Sequence, residues 1–152
     1  MKRLFKIRLW LLLIIYIILD IIFTGMGMGV PIFNILLGFL AGFYITRRNL
    51  LYFELRQAMF KSIVYSLYFS LITLVIMAVI WGPAVKMLFA SNADFKNFGI
   101  PMILYQPRAS FIGWLVLMII ISPILQFIVS LSASYITITV YLGRNRKQTS
   151  IF

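Results

Sequence analysis

The chain has 152 residues, 63% of them hydrophobic and 11% charged, and its 14 Lys and Arg greatly outnumber its 3 Asp and Glu. Soluble domains are closer to half apolar and a quarter charged, so this composition excludes a water-soluble globule with a polar surface. With neither His nor Cys in the chain, disulfides, thiol nucleophiles, Ser-His pairs and the usual zinc and haem ligands are excluded as well. We therefore expect an all-α integral membrane protein without a cofactor.

The first charge-poor run covers residues 9–46 and contains one side chain that is charged at neutral pH in water, Asp20. As a single helix it would be about 57 Å long, roughly twice the hydrocarbon thickness of a bilayer. Its centre, residues 25–31, is rich in Gly and ends in Pro. This pattern predicts two crossings, at about 9–25 and 30–46, joined by a short apolar hairpin.

The basic N-terminus followed by an apolar stretch also fits a secretory signal peptide, with Gly25 and Gly27 as a cleavage site. We expect the segment to be retained, because Asp20 interrupts the apolar region. Cleavage would also leave an odd number of crossings.

Two further charge-poor runs predict a third crossing at about 60–82 and a fourth at about 111–142. The fourth would be about 48 Å long, so we expect it to project beyond the lipid, with a kink at Pro123. The third helix is expected to begin near Leu50, because no strong turn residue follows that position. The outer loop, 83–110, is apolar enough to lie in the interface or to fold over the bundle. Within it, a cap at Ser91 predicts a short surface helix over 92–98.

The loop charges predict the orientation, since Lys and Arg accumulate in short cytoplasmic segments. Eleven of the 14 basic residues fall on the side that carries both termini and the loop between the second and third crossings. Both termini are therefore expected to be cytoplasmic, in a plasma or inner membrane. The basic face would attract anionic lipid headgroups. Nucleic acid is not an expected partner, because the positive-inside rule already explains the charge.

Small and polar residues recur at helical spacing in every predicted crossing. Such stripes are typical of faces on which membrane helices pack closely and form hydrogen bonds. We expect a single four-helix domain over 1–152 with these faces inward, as packing surfaces or alternatively as a hydrated seam. The Gly38-x-x-x-Gly42 pair would serve either the contact between the first two crossings or a homodimer. The stripes comprise Tyr16, Asp20 and Thr24; Asn34, Gly38, Gly42 and Thr46; Ser62, Ser66, Ser70 and Thr73; and Ser122, Gln126, Ser130, Ser134 and Thr137.

Asp20 is the residue best placed to carry chemistry, because a carboxylate at bilayer depth is energetically costly. Asn34, Thr73 and Ser122 fall at compatible depths, so the four define a candidate ion or proton site. A purely structural role, with Asp20 protonated or bonded to Asn34, remains the alternative, as does contact with a partner subunit.

These patterns favour a non-enzymatic accessory, assembly or scaffold subunit of a membrane complex. Its partner would be another membrane protein or a second copy of the chain. A small transporter or channel protomer using Asp20 and the bundle hydroxyls is the main alternative. An enzyme acting on lipids would need Asp20 to converge with Arg108 or Tyr105.

Overall fold

The structure is a computed structural model that describes residues 8–26, 31–90, 92–95 and 104–149. Over these residues the chain is helical, with short turns and no strand, so the all-α prediction is confirmed. The helices are α1 (Leu9–Met26), α2 (Ile32–Tyr52), α3 (Leu55–Trp81), a 3-10 helix (Gly82–Phe89), α4 (Pro107–Val116), a wide π-helical turn (Leu117–Ile121) and α5 (Ser122–Thr149).

The break between α1 and α2 falls at the Gly-rich segment, as the sequence predicted. α1 ends at Met26 and α2 begins at Ile32. Residues 27–30, which include Gly27, lie outside the described residues, and so do residues 1–7. The signal-peptide alternative depends on both of these segments.

The boundary between α2 and α3 differs from the prediction. α2 continues to Tyr52, so Leu50 belongs to α2 and α3 begins only at Leu55. Phe53 and Glu54 have extended backbones between the two helices. The Phe53 N–H still donates to the Asn49 carbonyl of α2, and the Ala58 N–H of α3 donates to the Glu54 backbone carbonyl. The turn needs neither Gly nor Pro, because both residues adopt ordinary extended conformations. This is why the composition of the segment did not reveal it.

The segment after α3 folds over the end of α4. The 3-10 helix carries Met87 and Leu88 against a cluster formed by Phe111 and Trp114, and Phe95 joins the same cluster. The described part of the outer loop therefore packs on α4, and its position relative to the membrane interface remains a prediction. The predicted helix over 92–98 is wrong for 92–95, which is not helical. Ser91 and 96–98 lie outside the described residues.

α4, the π turn and α5 form one continuous helical stretch, longer at both ends than the predicted 111–142. The stretch begins at Pro107, where a missing N–H costs no helical hydrogen bond. The π turn ends two residues before Pro123. A proline ring clashes with the carbonyl four residues earlier, and widening the preceding turn relieves that clash.

The helices pack as a core of α2, α3 and α5, with α1 lying mainly against α3. Two stretches, Leu55–Phe89 and Pro107–Gly143, are long and apolar enough to cross a membrane, and Leu9–Gly25 is a shorter apolar helix. Large apolar side chains are exposed along α1, α2, α3 and α5. The four-crossing topology and the cytoplasmic termini remain predictions.

Candidate functional site

The structure buries every member of the four predicted stripes. In an apolar bundle an inward polar group must find a partner inside the protein, since unsatisfied polar atoms are costly there. The contacts of these side chains therefore show how the helices are held together.

The two stripe glycines lie where α2 crosses α5. A Cβ on Gly38 would meet the Gln126 carbonyl oxygen at 2.6 Å, and one on Gly42 would overlap the Ser130 carbonyl. Ser134 Oγ lies 3.4 Å from the Gly42 carbonyl oxygen on the same seam. The glycine pair therefore serves the contact of α2 with α5. The sequence analysis had suggested a contact of α2 with α1 or a homodimer. Neither applies, because the pair faces α5 and is buried inside the chain. Spacing alone identifies a close contact but not which helix provides the other side.

Serines on α3 connect it to α5 and to α2. Ser66 Oγ lies 2.8 Å from Ser130 Oγ on α5, and Ser70 Oγ donates to the Pro123 carbonyl at 2.8 Å. Towards α2, the Asn49 amide donates to Ser62 Oγ at 3.2 Å. These contacts account for the third stripe as packing surface.

Asp20 ends a chain of hydrogen bonds that crosses three helices. The Thr73 hydroxyl on α3 donates to Asp20 Oδ2 at 2.6 Å, and the Tyr16 hydroxyl lies 2.5 Å from Thr73 Oγ1. A hydroxyl has one proton, so Thr73 must accept from Tyr16 if it donates to Asp20. Gln126 Nε2 on α5 in turn donates to the Tyr16 hydroxyl. The polarity therefore runs in one direction, from Gln126 to the carboxyl group.

A second polar pair lies one helical turn from Gln126. Asn34 Nδ2, near the start of α2, donates to Ser122 Oγ at 2.9 Å. The four predicted site residues are thus two bonded pairs, Asp20 with Thr73 and Asn34 with Ser122. We call these four residues, together with Tyr16 and Gln126, the polar core.

The sequence analysis placed Tyr16 and Gln126 in stripes but not in the candidate site. Both are one helical turn from a predicted site residue, Tyr16 from Asp20 and Gln126 from Ser122. That spacing was the available signal. Which of the many stripe residues meet across helices depends on how the helices cross, and the sequence does not specify this.

Three oxygens of the polar core have no hydrogen-bond partner among the described residues. They are Asp20 Oδ1, Asn34 Oδ1 and Gln126 Oε1, and their side chains are at most 1% exposed. Buried acceptors without a donor call for an explanation, because the desolvation of each costs about 1–3 kcal/mol. A proton on Asp20 would turn one of these acceptors, Asp20 Oδ1, into a donor.

The residues of the lipid-enzyme hypothesis do not meet in one site. Asp20 is buried against Thr73, whereas Arg108 is exposed and donates to the Leu88 carbonyl at 2.8 Å. Tyr105 is fully exposed in the loop before α4. Arg108 fastens the 3-10 helix to the start of α4, which is a structural contact.

No protein-family model matches the chain, and no curated protein or solved structure matches it either.

Proposed function

We propose that the chain is an integral four-helix membrane protein of non-enzymatic character that acts as an accessory, assembly or scaffold subunit. It would lie in a plasma or inner membrane with both termini cytoplasmic. The observation that carries the proposal is the division of its surface: the stripe side chains face inward, while the outward faces of the long helices are aliphatic and aromatic.

This division determines where partners can bind. Among the described residues, the exposed charged side chains lie near the helix ends, and the exposed hydroxyls of Ser132 and Thr139 on the side of α5 donate to carbonyls of their own helix. The apolar sides are available to lipid and to other membrane helices, which bind through close packing. A partner is therefore expected in the plane of the bilayer, as another membrane protein or a second copy of the chain.

Photocrosslinking in the native membrane tests this proposal. A photoreactive residue at Val79, which is 69% exposed on α3, should capture a discrete partner, whereas one at the buried Ala58 should not. Two differently tagged copies of the chain separate a homo-oligomer from a complex with another protein. A chain that stays uncrosslinked at exposed positions on all its helices, and is monodisperse in mild detergent, would refute the proposal.

The unpartnered oxygens of the polar core favour a second candidate, a transporter or channel protomer that handles protons or cations. Asp20 Oδ1 offers a site for a proton or cation, and the bonded hydroxyls of Thr73 and Tyr16 connect that site to Gln126. Side-chain carboxyl groups inside membrane helices are commonly part of such pathways.

Flux measurements in liposomes test the second candidate. Asp20→Asn removes the ionisable group but keeps an oxygen that accepts from Thr73, so proton or cation flux should be lost while the fold is kept. Asp94→Asn makes the same charge change in the exposed loop and should leave flux unaltered. Absence of flux in the native protein, or flux that survives Asp20→Asn, would exclude transport through this residue.

A further inference from the structure

α1 and α2 are adjacent in the chain but make few contacts with each other, since each packs more extensively on α3. An apolar groove remains between them, with a cavity of about 250 Å³. Ile15, Leu40 and Phe43 form an exposed rim, so the groove opens sideways rather than into the bundle. It is lined by Leu12, Ile15, Tyr16 and Leu19 of α1 and by Leu37, Leu40, Ala41, Phe43 and Tyr44 of α2.

A second pocket of about 420 Å³, lined in part by the polar side chains of Arg48 and Asn49, follows the groove at the end of the helix pair predicted to face the cytoplasm. The pocket begins one helical turn beyond the groove on each helix. On α1 its residue Leu9 precedes Leu12 of the groove, and on α2 its residue Arg48 follows Tyr44 of the groove. Arg48 and Tyr52 lie on its wall, with the guanidinium carbon 6.0 Å from the centre of the Tyr52 ring. The chain's net charge of +11 means that most of its basic side chains have no acidic residue to pair with.

We infer that the groove and the pocket together form a binding site for one anionic phospholipid, with an acyl chain between α1 and α2 and the phosphate on Arg48. The inference rests on the proposed membrane location and adds a specific ligand to it.

The arrangement matches the two parts of such a lipid. The groove is apolar along its length, and the cation is at the end where headgroups of the inner leaflet would lie, which is where anionic lipids concentrate. Guanidinium binds phosphate oxygens through two hydrogen bonds, and a tyrosine hydroxyl can add another.

A partner helix fits this site less well. A helix with its side chains is about 10 Å across, whereas α1 and α2 are held together beyond the end of the groove, where the rings of Phe23 and Phe33 stack with their centres 4.7 Å apart. An apolar helix would also cover Arg48 and leave a cation in a dry interface, which is unfavourable without a counter-charge.

Native mass spectrometry of the full chain, purified and stripped of lipid, tests the inference. Titration with phosphatidylglycerol should fill one site, and phosphatidylcholine with the same acyl chains should bind more weakly. Arg48→Ala should lower the affinity for phosphatidylglycerol about fivefold, the contribution of one basic group beside a headgroup. Arg47→Ala removes the same charge from the neighbouring residue, which does not line the pocket, and should keep the affinity.

Leu19→Trp places a larger side chain in the groove, at a partly exposed position, and should reduce binding without removing Arg48. Equal binding of the two lipids would overturn the inference, as would equal losses in the Arg48 and Arg47 variants. Crosslinking of groove residues to another protein would show a partner helix instead.

Extraction with alkaline carbonate distinguishes a failure of the proposed membrane function from a failure of the lipid site alone. A chain released from membranes refutes the proposed function, and one that stays but shows no lipid preference refutes the lipid site alone.

Discussion

Thr73 Oγ1 lies 2.6 Å from Asp20 Oδ2 and joins α1 to α3 at a point where neither side chain is exposed. α1 makes few contacts with α2, so it is attached to α3 by this bond, by the Tyr16 hydroxyl beside it and by the packing of the Tyr16 ring on Phe69. The same contact serves as a structural attachment in the first proposed function and as the end of a proton or cation site in the second.

Tyr16→Phe should destabilise the folded chain by about 1 kcal/mol, because Thr73 loses a donor and Gln126 an acceptor. Reversible unfolding in mixed micelles measures the change in the free energy of unfolding. Tyr68→Phe is the matched control: Tyr68 is 56% exposed on α3, and removing its hydroxyl should change little. The double variant Tyr16→Phe/Thr73→Val should lose less unfolding free energy than the sum of the losses in the two single variants. Full additivity would show that the two hydroxyls do not interact.

Gly42→Ala should destabilise the bundle by about 1–3 kcal/mol, since the added methyl group overlaps the Ser130 backbone and the helices must move apart. The same unfolding assay measures the loss. Gly113→Ala provides the control, because nothing lies within 4 Å of a Cβ at that position. We expect no loss of stability there. If Gly42→Ala is tolerated equally well, α2 and α5 do not cross at this residue.

Phe111→Ala should loosen the segment that folds over α4. Phe111 is fully buried and packs on Phe95 with ring centres 5.2 Å apart, and a buried Phe→Ala change typically costs about 3–5 kcal/mol. Trypsin cleavage at the exposed Lys86 should therefore become faster. Phe60→Ala, at a position that is 68% exposed, should leave the cleavage rate unaltered. A rate that does not respond to Phe111→Ala would mean that this cluster does not hold the segment.

The sequence was sufficient to predict the all-α character of the fold and the buried faces of the helices. Both follow from local periodicity, so Ser66, Gln126 and the other stripe residues were identified without knowing their partners. The pairings were not predictable in the same way. That Gly42 meets Ser130, and that Asn34 bonds to Ser122, depends on crossing angles and helix rotations set by the whole bundle. The turn at Phe53 and Glu54 was missed because it contains no residue of special conformation.

We propose that the chain crosses the bilayer four times with its polar core inside. The chain has no native cysteine, so single cysteines can be introduced and labelled without background. Tyr52 and Tyr105 are exposed positions in segments predicted to lie on opposite sides. In sealed cells, an impermeant maleimide should label a cysteine at 105 from outside, and label one at 52, or at either terminus, only after the membrane is opened. Labelling of 52 and 105 from the same side, or of the two termini from opposite sides, would contradict the proposed four-crossing topology.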